Sequence, residues 1–355
     1  MFSLDDMFLF AYKLKTCVFI LPLVYMNIVR KKDRKGRQQV KTEKIFTHPI
    51  GVFIAAIVAT FLWGSAFPFI KLSYAELGIQ PKEVGEQILF AGYRFFLSGV
   101  MLLFFFKALG KDMNFKKGTG KQLVQIGLFQ TFLQYICFYI GMSYSSGIEG
   151  AIISGTSSFF QILLAHFLYK DDALNVRKVI GVSIGFCGVI LVNVPSDGSL
   201  SFHFGIGSLL LLSAAMLYSY GNILAKEGSK TLDIGYMTAY QMIFGSIGLL
   251  CIGAVQVGVM PFTFSIHAIL MLIYLSFLSA AGFCIWNTIM KYNKVGKVSM
   301  YMFFIPVFGV LLSSMILGEA IHSFVLFGLA CVAAGIIVVN RVPAKQKMEK
   351  EKQVA

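Results

Sequence analysis

The stretch GVSIGFCGVILVN at residues 181–193 returns in altered form as GLACVAAGIIVVN at residues 328–340. Three residues keep their spacing across an interval of 147 residues: Gly181, Gly188 and Asn193 correspond to Gly328, Gly335 and Asn340. Both stretches are apolar along most of their length, as a membrane-spanning helix requires. The match predicts that the chain contains this segment twice.

Similar matches extend upstream through both halves of the chain. They are Cys137 with Cys284, Tyr93-Arg94 with Tyr240-Gln241, Asp171 with Glu319, and the pair Trp63 and Lys71 with the pair Tyr218 and Lys226. The first two keep the interval of 147 residues, Asp171 and Glu319 lie 148 apart, and the members of each pair are eight apart. Matched segments in one order predict two copies of a single unit, at residues 50–195 and 205–341.

The composition places this chain in a membrane. Hydrophobic residues make up 57% of it, charged residues 14%, and its mean hydropathy is +0.75, whereas soluble proteins carry about 25% charged residues. Ten apolar stretches approach the ~20 residues that cross a bilayer as a helix. They lie near 50–71, 87–107, 121–143, 149–170, 177–195, 205–226, 233–256, 267–291, 297–318 and 322–341. We therefore expect an all-α polytopic membrane protein with ten transmembrane helices.

Lysine and arginine are distributed unevenly around the predicted spans. The net charge is +14, and 26 of the 31 lysine and arginine residues lie at residues 30–44, after the last predicted span, or in loops on that same side. The opposite loops contribute only Lys82. Because cytoplasmic loops carry the excess of positive charge, we expect a plasma-membrane protein with both termini in the cytoplasm. The charge thus reports topology, and nucleic acid is not an expected partner.

The odd number of spans in each unit reverses the orientation of the second unit. Five helices leave the chain on the opposite face of the membrane, so the two units are expected to form inverted repeats. In secondary transporters, inverted repeats let a central site open first to one side and then to the other. The pattern therefore favours alternating-access transport.

The terminal segments lie outside the two units. Residues 1–49 are expected to form a cytoplasmic or interfacial extension, in which residues 7–29 are an amphipathic anchor or, as the alternative, an eleventh helix. A polar linker is expected at residues 31–47. Residues 342–355 form a basic cytoplasmic tail, whose composition is typical of disorder.

Several short motifs in the two units resemble those of one transporter family. They are Trp63-Gly64-Ser65 with Lys71, Arg94-Phe95-Phe96-Leu97, Pro306-Val307-Phe308, Leu317-Gly318-Glu319 and the two Gly-x6-Gly-x4-Asn patterns. On these residues the chain resembles the EamA family, the ten-helix branch of the drug/metabolite transporter superfamily, over residues 50–341. The first unit departs from the pattern, with Ser158 in place of the proline and Lys170-Asp171 in place of Gly-Glu. The resemblance implies a ten-helix bundle that moves small metabolites through a central cavity.

Polar and aromatic side chains within the spans are candidates for the wall of such a cavity. Those of spans three and four, Gln130 included, recur at spacings of three to four residues and so share a helix face. Tyrosine and tryptophan combine a flat apolar body with one hydrogen bond, which suits amphipathic metabolites. The alternative is that these groups only join helices. The candidates are Trp63, Arg94, Gln134, Tyr135, Tyr139, Gln161, Tyr218, Asn222, Trp286, Asn287 and Pro306.

Arg94 is the clearest charged residue inside a span, at a depth of roughly 10 Å. A charge in this position is costly. It is interpreted as a contact for an anion or carboxylate; snorkelling to headgroups or a bond to a backbone carbonyl is the alternative.

A second group of residues is interpreted as gating or structural. It consists of Lys71, Glu149, His166, Asp171 and Glu319. The two acids Asp171 and Glu319 close their spans at loop edges and are expected to be mainly structural. Glu149 suits the positive end of a helix dipole. His166 is read as a hydrogen-bonded packing residue, with pH-dependent coupling as the alternative.

The function expected from the sequence is secondary transport of a small organic metabolite, amino-acid-like or drug-like, with export as the favoured direction. Enzymatic motifs such as a Walker loop, HExxH or GxSxG are missing. A nucleotide-sugar or other specialised antiporter is the runner-up, and a non-transporting structural or signalling protein the remote alternative. The expected partners are the substrate and the lipid bilayer, with a coupling ion and a homodimer left open. No cofactor and no metal are expected.

Overall fold

The computed structural model describes residues 38–145, 150, 153–192, 194, 205–318 and 323–340. All regular secondary structure in these ranges is helical. A linker helix, Gln38–Thr47, precedes ten further helices. These are α1 (Pro49–Leu77), α2 (Val84–Ala108), α3 (Gly120–Ser143), α4 (Ser157–Leu168), α5 (Val176–Val192), α6 (Ile206–Gly228), α7 (Ile234–Val257), α8 (Ile266–Tyr292), α9 (Val295–Leu317) and α10 (Ser323–Asn340). The segment 7–29 and the tail 342–355 lie outside the described residues.

Seven of these helices are long and apolar enough to cross a membrane: α1, α2, α3, α6, α7, α8 and α9. The helices α4, α5 and α10 are shorter as described, and both α5 and α10 border residues outside the described ranges. Large apolar side chains on the spanning helices face outward, among them Phe104 and Val255. In water such a surface would be unfavourable, whereas lipid chains match it. The chain is therefore an all-helical, multi-pass membrane protein, and the count of ten spans stays a prediction.

The ends of the helices follow ordinary capping chemistry. The Asp233 carboxylate accepts hydrogen bonds from the backbone N–H groups of Gly235 and Tyr236, at 2.9 and 3.3 Å, at the start of α7. Gly78 ends α1 with a φ of 73°, a left-handed conformation that glycine adopts without strain. These local signals set where the spans turn into loops.

The helix pairs are symmetric between the two units, because swapping the units converts each pair into another pair of the same set. Helix α2 lies along α7, and α5 lies along α10. Helix α1 packs against α8 and α9, while α6 packs against α3 and α4. Adding five to the number of each helix in one of these pairs, or subtracting five, gives another pair of the set.

The glycines of the two Gly-x6-Gly-x4-Asn patterns lie where α5 contacts α10. A Cβ added to Gly181 would be 2.8 Å from the backbone oxygen of Gly335, and one added to Gly188 would be 2.6 Å from that of Gly328. The contacts are reciprocal: Gly181 meets the repeat counterpart of Gly188, and Gly188 meets the repeat counterpart of Gly181. Only glycine allows the two backbones to approach this closely.

The predicted polar linker at residues 31–47 differs from the structure where it is described. Residues Gln38–Thr47 form a helix, and Phe46 in it is buried. The amide nitrogen Nδ2 of Asn293 donates to the Phe46 backbone oxygen at 2.7 Å. This part of the linker is therefore a packed element attached to the end of α8.

Candidate functional site

A π-helical turn, Leu128–Leu133, interrupts α3 near its middle. Its wider backbone changes the angular spacing of the side chains, and such turns are frequent at functional sites. The turn carries Gln130 and Thr131, both fully buried. It directs these two polar side chains towards α6, α7 and α8.

Gln130 is the centre of a buried amide network. Its Nε2 donates to Asn222 Oδ1 at 2.7 Å and lies 3.4 Å from Asn287 Oδ1. The Nδ2 of Asn287 in turn donates to Thr238 Oγ1 at 3.0 Å. The network joins α3 of the first unit to α6, α7 and α8 of the second.

The amide network contains polar atoms that no described residue satisfies. Buried atoms without a partner are Gln130 Oε1, Asn222 Nδ2 and, beside the network, Gln241 Nε2. The other end of the Gln241 amide accepts a 2.9 Å hydrogen bond from the Thr131 hydroxyl. Because buried polar groups are nearly always hydrogen-bonded, these atoms indicate a place for water or a ligand.

An aromatic cluster adjoins the amide network. Its members are Trp63, Phe95, Tyr135, Tyr139, Tyr218, Phe283 and Trp286. The Trp63 ring centroid lies 5.3 Å from that of Phe283, 5.7 Å from that of Trp286 and 6.5 Å from that of Tyr218. Gly282 makes room for this packing, because a Cβ there would be 2.8 Å from Trp63 Nε1. The cluster thus brings α1, α2, α3, α6 and α8 together around flat apolar surfaces.

Arg94 lies at the side of the aromatic cluster that is remote from the amide network. Its Nε donates to Ser279 Oγ at 2.8 Å and to the Leu275 backbone oxygen at 3.3 Å. The residue is 4% exposed, so it does not reach the headgroups by snorkelling.

One end of the bundle, which we call the basic end, is formed by the loops after α2, α4, α6 and α8. There the buried Asp172 carboxylate binds Lys178 Nζ at 2.6 Å and accepts from the Gly296 N–H at 2.8 Å. Lys226 Nζ donates to the backbone oxygens of Met290 and Asn293 at 2.6 and 2.7 Å. The hydrogen bond from Gly296 to Asp172 joins the second unit to the first.

Two further contacts link the units at the basic end. The Tyr169 hydroxyl lies 2.7 Å from Glu227 Oε1. Lys294 Nζ lies 3.2 Å from Asp171 Oδ2, where hydrogen bonding to the ammonium lowers the pKa of this exposed carboxyl. At the basic end, the polar groups named here are thus held in ion pairs and hydrogen bonds, and those of Asp172 with Gly296, Tyr169 with Glu227 and Asp171 with Lys294 cross between the units.

The structure brings most of the predicted cavity residues together. The aromatic cluster contains Trp63, Tyr135, Tyr139, Tyr218 and Trp286. The amide network contains Asn222 and Asn287. Arg94 lies at the side of the aromatic cluster that is remote from this network. Two further buried atoms have no hydrogen-bond partner: Oε1 of Gln134 and the indole Nε1 of Trp286.

Two predicted cavity residues have structural contacts elsewhere. Gln161 lies between α4 and α9, where its Oε1 accepts from the Ser299 hydroxyl at 3.1 Å and its Nε2 lies 2.8 Å from Met302 Sδ. Pro306 follows a 3-10 turn, Ser299–Phe303, and is the third residue of the α-helical part of α9. A proline is tolerated in this first turn because its missing N–H has no helical partner.

Among the residues interpreted as gating or structural, those that the structure describes lie away from the aromatic cluster. Lys71 is exposed, near the C-terminal end of α1. His166 was expected well inside a span; it is instead exposed in the last turn of α4, and its Nδ1 accepts from the Leu174 N–H at 3.1 Å. Glu149 and Glu319 lie outside the described residues.

Several polar residues of the site were not predicted as site residues from the sequence. They are Thr131, Asp172, Thr238 and Gln241. A signal existed for two of them, because Gln241 is the counterpart of Arg94 and Asp172 lies 147 residues before Glu319, the interval of the glycine motifs. The pairing of Asp171 with Glu319 has an interval of 148 residues instead and stays a prediction.

Comparisons with known proteins agree with the architecture. The profile of the EamA-like transporter family matches residues 50–194 and 205–341. The chain is 30% identical over 296 residues to "Uncharacterized transporter YvbV" of Bacillus subtilis, covering 81% of this chain and 90% of that protein. It is 25% identical to "WAT1-related protein At3g02690, chloroplastic" of Arabidopsis thaliana, covering 79% and 67%.

A solved crystal structure shares the fold, with a TM-score of 0.67 at 16% identity over 81% of this chain and 95% of that one. The resemblance inferred from the sequence motifs is thus confirmed over both units. The chain is a membrane transporter of the drug/metabolite superfamily and belongs to the EamA-like transporter family.

Proposed function

We propose that this protein is a secondary transporter that moves a small organic metabolite across the plasma membrane by alternating access. Ten transmembrane helices in two inverted five-helix units would surround one central site. The lysine-rich basic end would face the cytoplasm with both termini, and export would be the direction of net transport. A gradient of an ion or of the substrate would supply the energy.

The exchange of helix pairs between the units supports the inverted arrangement. The pairing of α1 with α8 and α9 corresponds to the pairing of α6 with α3 and α4, and the α2–α7 and α5–α10 pairs correspond to themselves. A two-fold axis in the membrane plane would relate helices in this way. The reciprocal glycine contacts of α5 and α10 agree with the same axis.

One observation carries the proposed central site. Unpartnered buried polar atoms and seven aromatic rings meet where helices of both units converge. A structural core would satisfy its polar groups, whereas a binding site leaves some of them for its ligand. A site shared between the units can then change its access when one unit moves against the other.

The contacts of the basic end would have to break when the site opens to that side.

Flux through proteoliposomes containing the purified protein tests the transport proposal. We expect saturable uptake of labelled solutes from a panel of amino acids, organic acids, purines, sugars and cationic drugs. A panel from which no solute is moved would remove the transport proposal.

A cross-linking experiment tests alternation itself. In a background without native cysteines, Asp171→Cys with Lys294→Cys joins the two units at the basic end, because these side chains are exposed neighbours. A short bifunctional thiol reagent should stop flux in this variant. The matched control is Asp171→Cys alone, which leaves the reagent no second thiol to join. Equal inhibition of both variants, or of neither, would contradict the alternation of the units at this end.

The topology has its own test. Tags placed at the two ends of the chain should both be accessible from the cytoplasmic face of intact cells. Tags found on different faces would exclude two inverted units of five helices each.

A nucleotide-sugar antiporter is less well supported. A substrate with two phosphate groups calls for several cations at the site. Among the described residues, Arg94 is the one cation named beside the aromatic cluster and the amide network. Lys71 is exposed and lies outside both.

A further inference from the structure

The charge of Arg94 is buried without an anionic partner. No aspartate or glutamate of the described ranges forms an ion pair with this guanidinium. Its Nε is occupied by Ser279 and Leu275, and its carbon Cζ lies 5.1 Å from the centroid of the Phe95 ring. The two terminal amino groups make no hydrogen bond to described residues. A guanidinium held in this way presents the planar fork that grips a carboxylate through two parallel hydrogen bonds.

The neighbours of Arg94 extend the fork into a site. Ser279, Phe283 and Trp286 of α8 follow at spacings of four and three residues, so they share one face of the helix. Seven residues at 1.5 Å rise place Trp286 roughly 10 Å from Ser279 along the helix axis. Phe95, next to Arg94 in the chain, packs against Tyr135, with the ring centroids 4.5 Å apart and the ring planes inclined at 45°. A molecule bound to Arg94 would therefore extend along aromatic rings.

The far part of the site offers aromatic rings beside the amide network. Trp63 and Trp286 present their rings at a centroid distance of 5.7 Å, and the Trp286 Nε1 proton has no acceptor. The residue is fully buried, so this donor also waits for a ligand atom or a water. Rings in this arrangement favour a planar apolar body over a flexible polar one.

We infer that the central site binds a monocarboxylate with a planar aromatic body, its carboxylate on the Arg94 guanidinium and its ring among Trp63, Phe283 and Trp286. One buried cation matches one negative charge. A cationic substrate would meet an uncompensated like charge at Arg94. This inference rests on the proposed transport function, whose central site it specifies.

The chain contains its own reporter for this binding. Its two tryptophans, Trp63 and Trp286, are both in the aromatic cluster. The intrinsic fluorescence of the full-length protein purified in detergent therefore reports on the site. The probes are phenylacetate, phenylacetamide, which keeps the shape without the charge, and phenethylamine, which carries the opposite charge.

We expect phenylacetate to change the fluorescence saturably and to bind at least about tenfold more tightly than phenylacetamide, because a hydrogen-bonded ion pair replaces a neutral contact. Arg94→Gln should reduce phenylacetate affinity to that of the amide and leave amide binding as it was. Arg94→Lys keeps the charge but not the fork, and should lie between the wild type and Arg94→Gln. The control is Lys82→Gln, which removes an exposed positive charge.

Amide binding shows whether Arg94→Gln is folded; if that variant does not fold, the Arg94→Lys comparison decides. The inference is overturned if phenylacetate does not bind, if acid and amide bind the wild type equally, if the amine binds best, or if a folded Arg94 variant binds the acid like the wild type. Arg94-dependent phenylacetate binding without any flux would refute the transport proposal alone. Flux of other solutes without carboxylate binding would refute this inference alone.

Discussion

The central site and the basic end use polar side chains in opposite ways. At the basic end, the Asp172 carboxylate has two partners from different helices, and Lys226 has two backbone acceptors. In the central site, the amides of Gln130, Asn222 and Gln241 each keep one buried atom without a partner. The first arrangement fixes the loops and, through the bond from Gly296 to Asp172, joins the two units, whereas the second leaves interactions for a ligand. Stability should therefore depend on the basic end, and transport on the centre.

The largest expected effect on stability is at Asp172. Asp172→Asn leaves the nearly buried Lys178 ammonium without its counter-ion, which costs about 3–5 kcal/mol in comparable buried pairs. We expect a clear fall in the melting temperature in detergent. The neighbouring Asp171→Asn should leave it unchanged, because that side chain is exposed. Equal melting temperatures of the two variants would contradict the distinction between these adjacent acids.

The next prediction compares the two counterparts Arg94 and Gln241, which lie 147 residues apart. Both reach from their own helix to a helix of the other unit, Arg94 to Ser279 and Gln241 to Thr131. Removing the partner of a charged group costs more than removing that of a neutral one, about 1.5–3 against about 0.5–1.5 kcal/mol. Ser279→Ala should therefore lower the melting temperature more than Thr131→Val. The reverse order would mean that the Arg94 bond is not the stronger one.

The amide network separates stability from transport. Asn222→Leu removes the main acceptor of Gln130 and should destabilise by about 1–3 kcal/mol, because a buried donor loses its partner. Adding Gln130→Met removes that donor as well and should restore most of the loss. We expect neither the single nor the double variant to show flux. A stable double variant with normal flux would exclude the network from the transport site.

The smallest expected effect is a pH dependence at the start of α7. Burial acts to raise the pKa of Asp233, but the Lys111 ammonium and the N–H groups of Tyr236 and Gly235 outweigh it and hold the pKa below its ordinary value. The stability from this carboxylate is present above the unfolded pKa of about 3.9 and is lost as the pH falls through the lower folded value.

Asp233→Asn keeps the cap and removes the titration, so the melting temperature of the variant should fall less than that of the wild type as the pH drops from about 5 to about 3. Because the pair is partly exposed, the difference should stay below about 1 kcal/mol. Asp112→Asn, at an exposed neighbouring acid, should follow the wild-type curve. Identical curves for the wild type and Asp233→Asn would remove this contribution.

Sequence periodicity predicted the helices and which polar and aromatic side chains lie close together, because both depend on local order; that these residues line a cavity stays a prediction. Apolar length identifies a span wherever it lies, and residues three or four apart share a face in any regular helix. The aromatic residues named from α1, α3, α6 and α8 accordingly lie together. The family was predictable as well, because its motifs are short and keep their spacing.

The rest depended on irregular backbone and on burial. The π-helical turn in α3 brings Thr131 to Gln241, a contact that regular helical spacing does not anticipate. Burial separates Asp171 from Asp172, which are identical in chemistry and adjacent in sequence. His166 was placed too deep because the predicted span ran to residue 170, whereas α4 ends at Leu168 and the following loop folds back onto the ring.

The glycine contact of α5 with α10 bears on how the protein can be assembled. These helices close their units and recognise each other through backbone surfaces, so the peptide connection between residues 194 and 205 does not supply that recognition. A gene divided there should give two fragments that reassemble in the bilayer after separate insertion. Fused to the halves of a split fluorescent protein, such fragments would make the docking of the two halves visible in living cells.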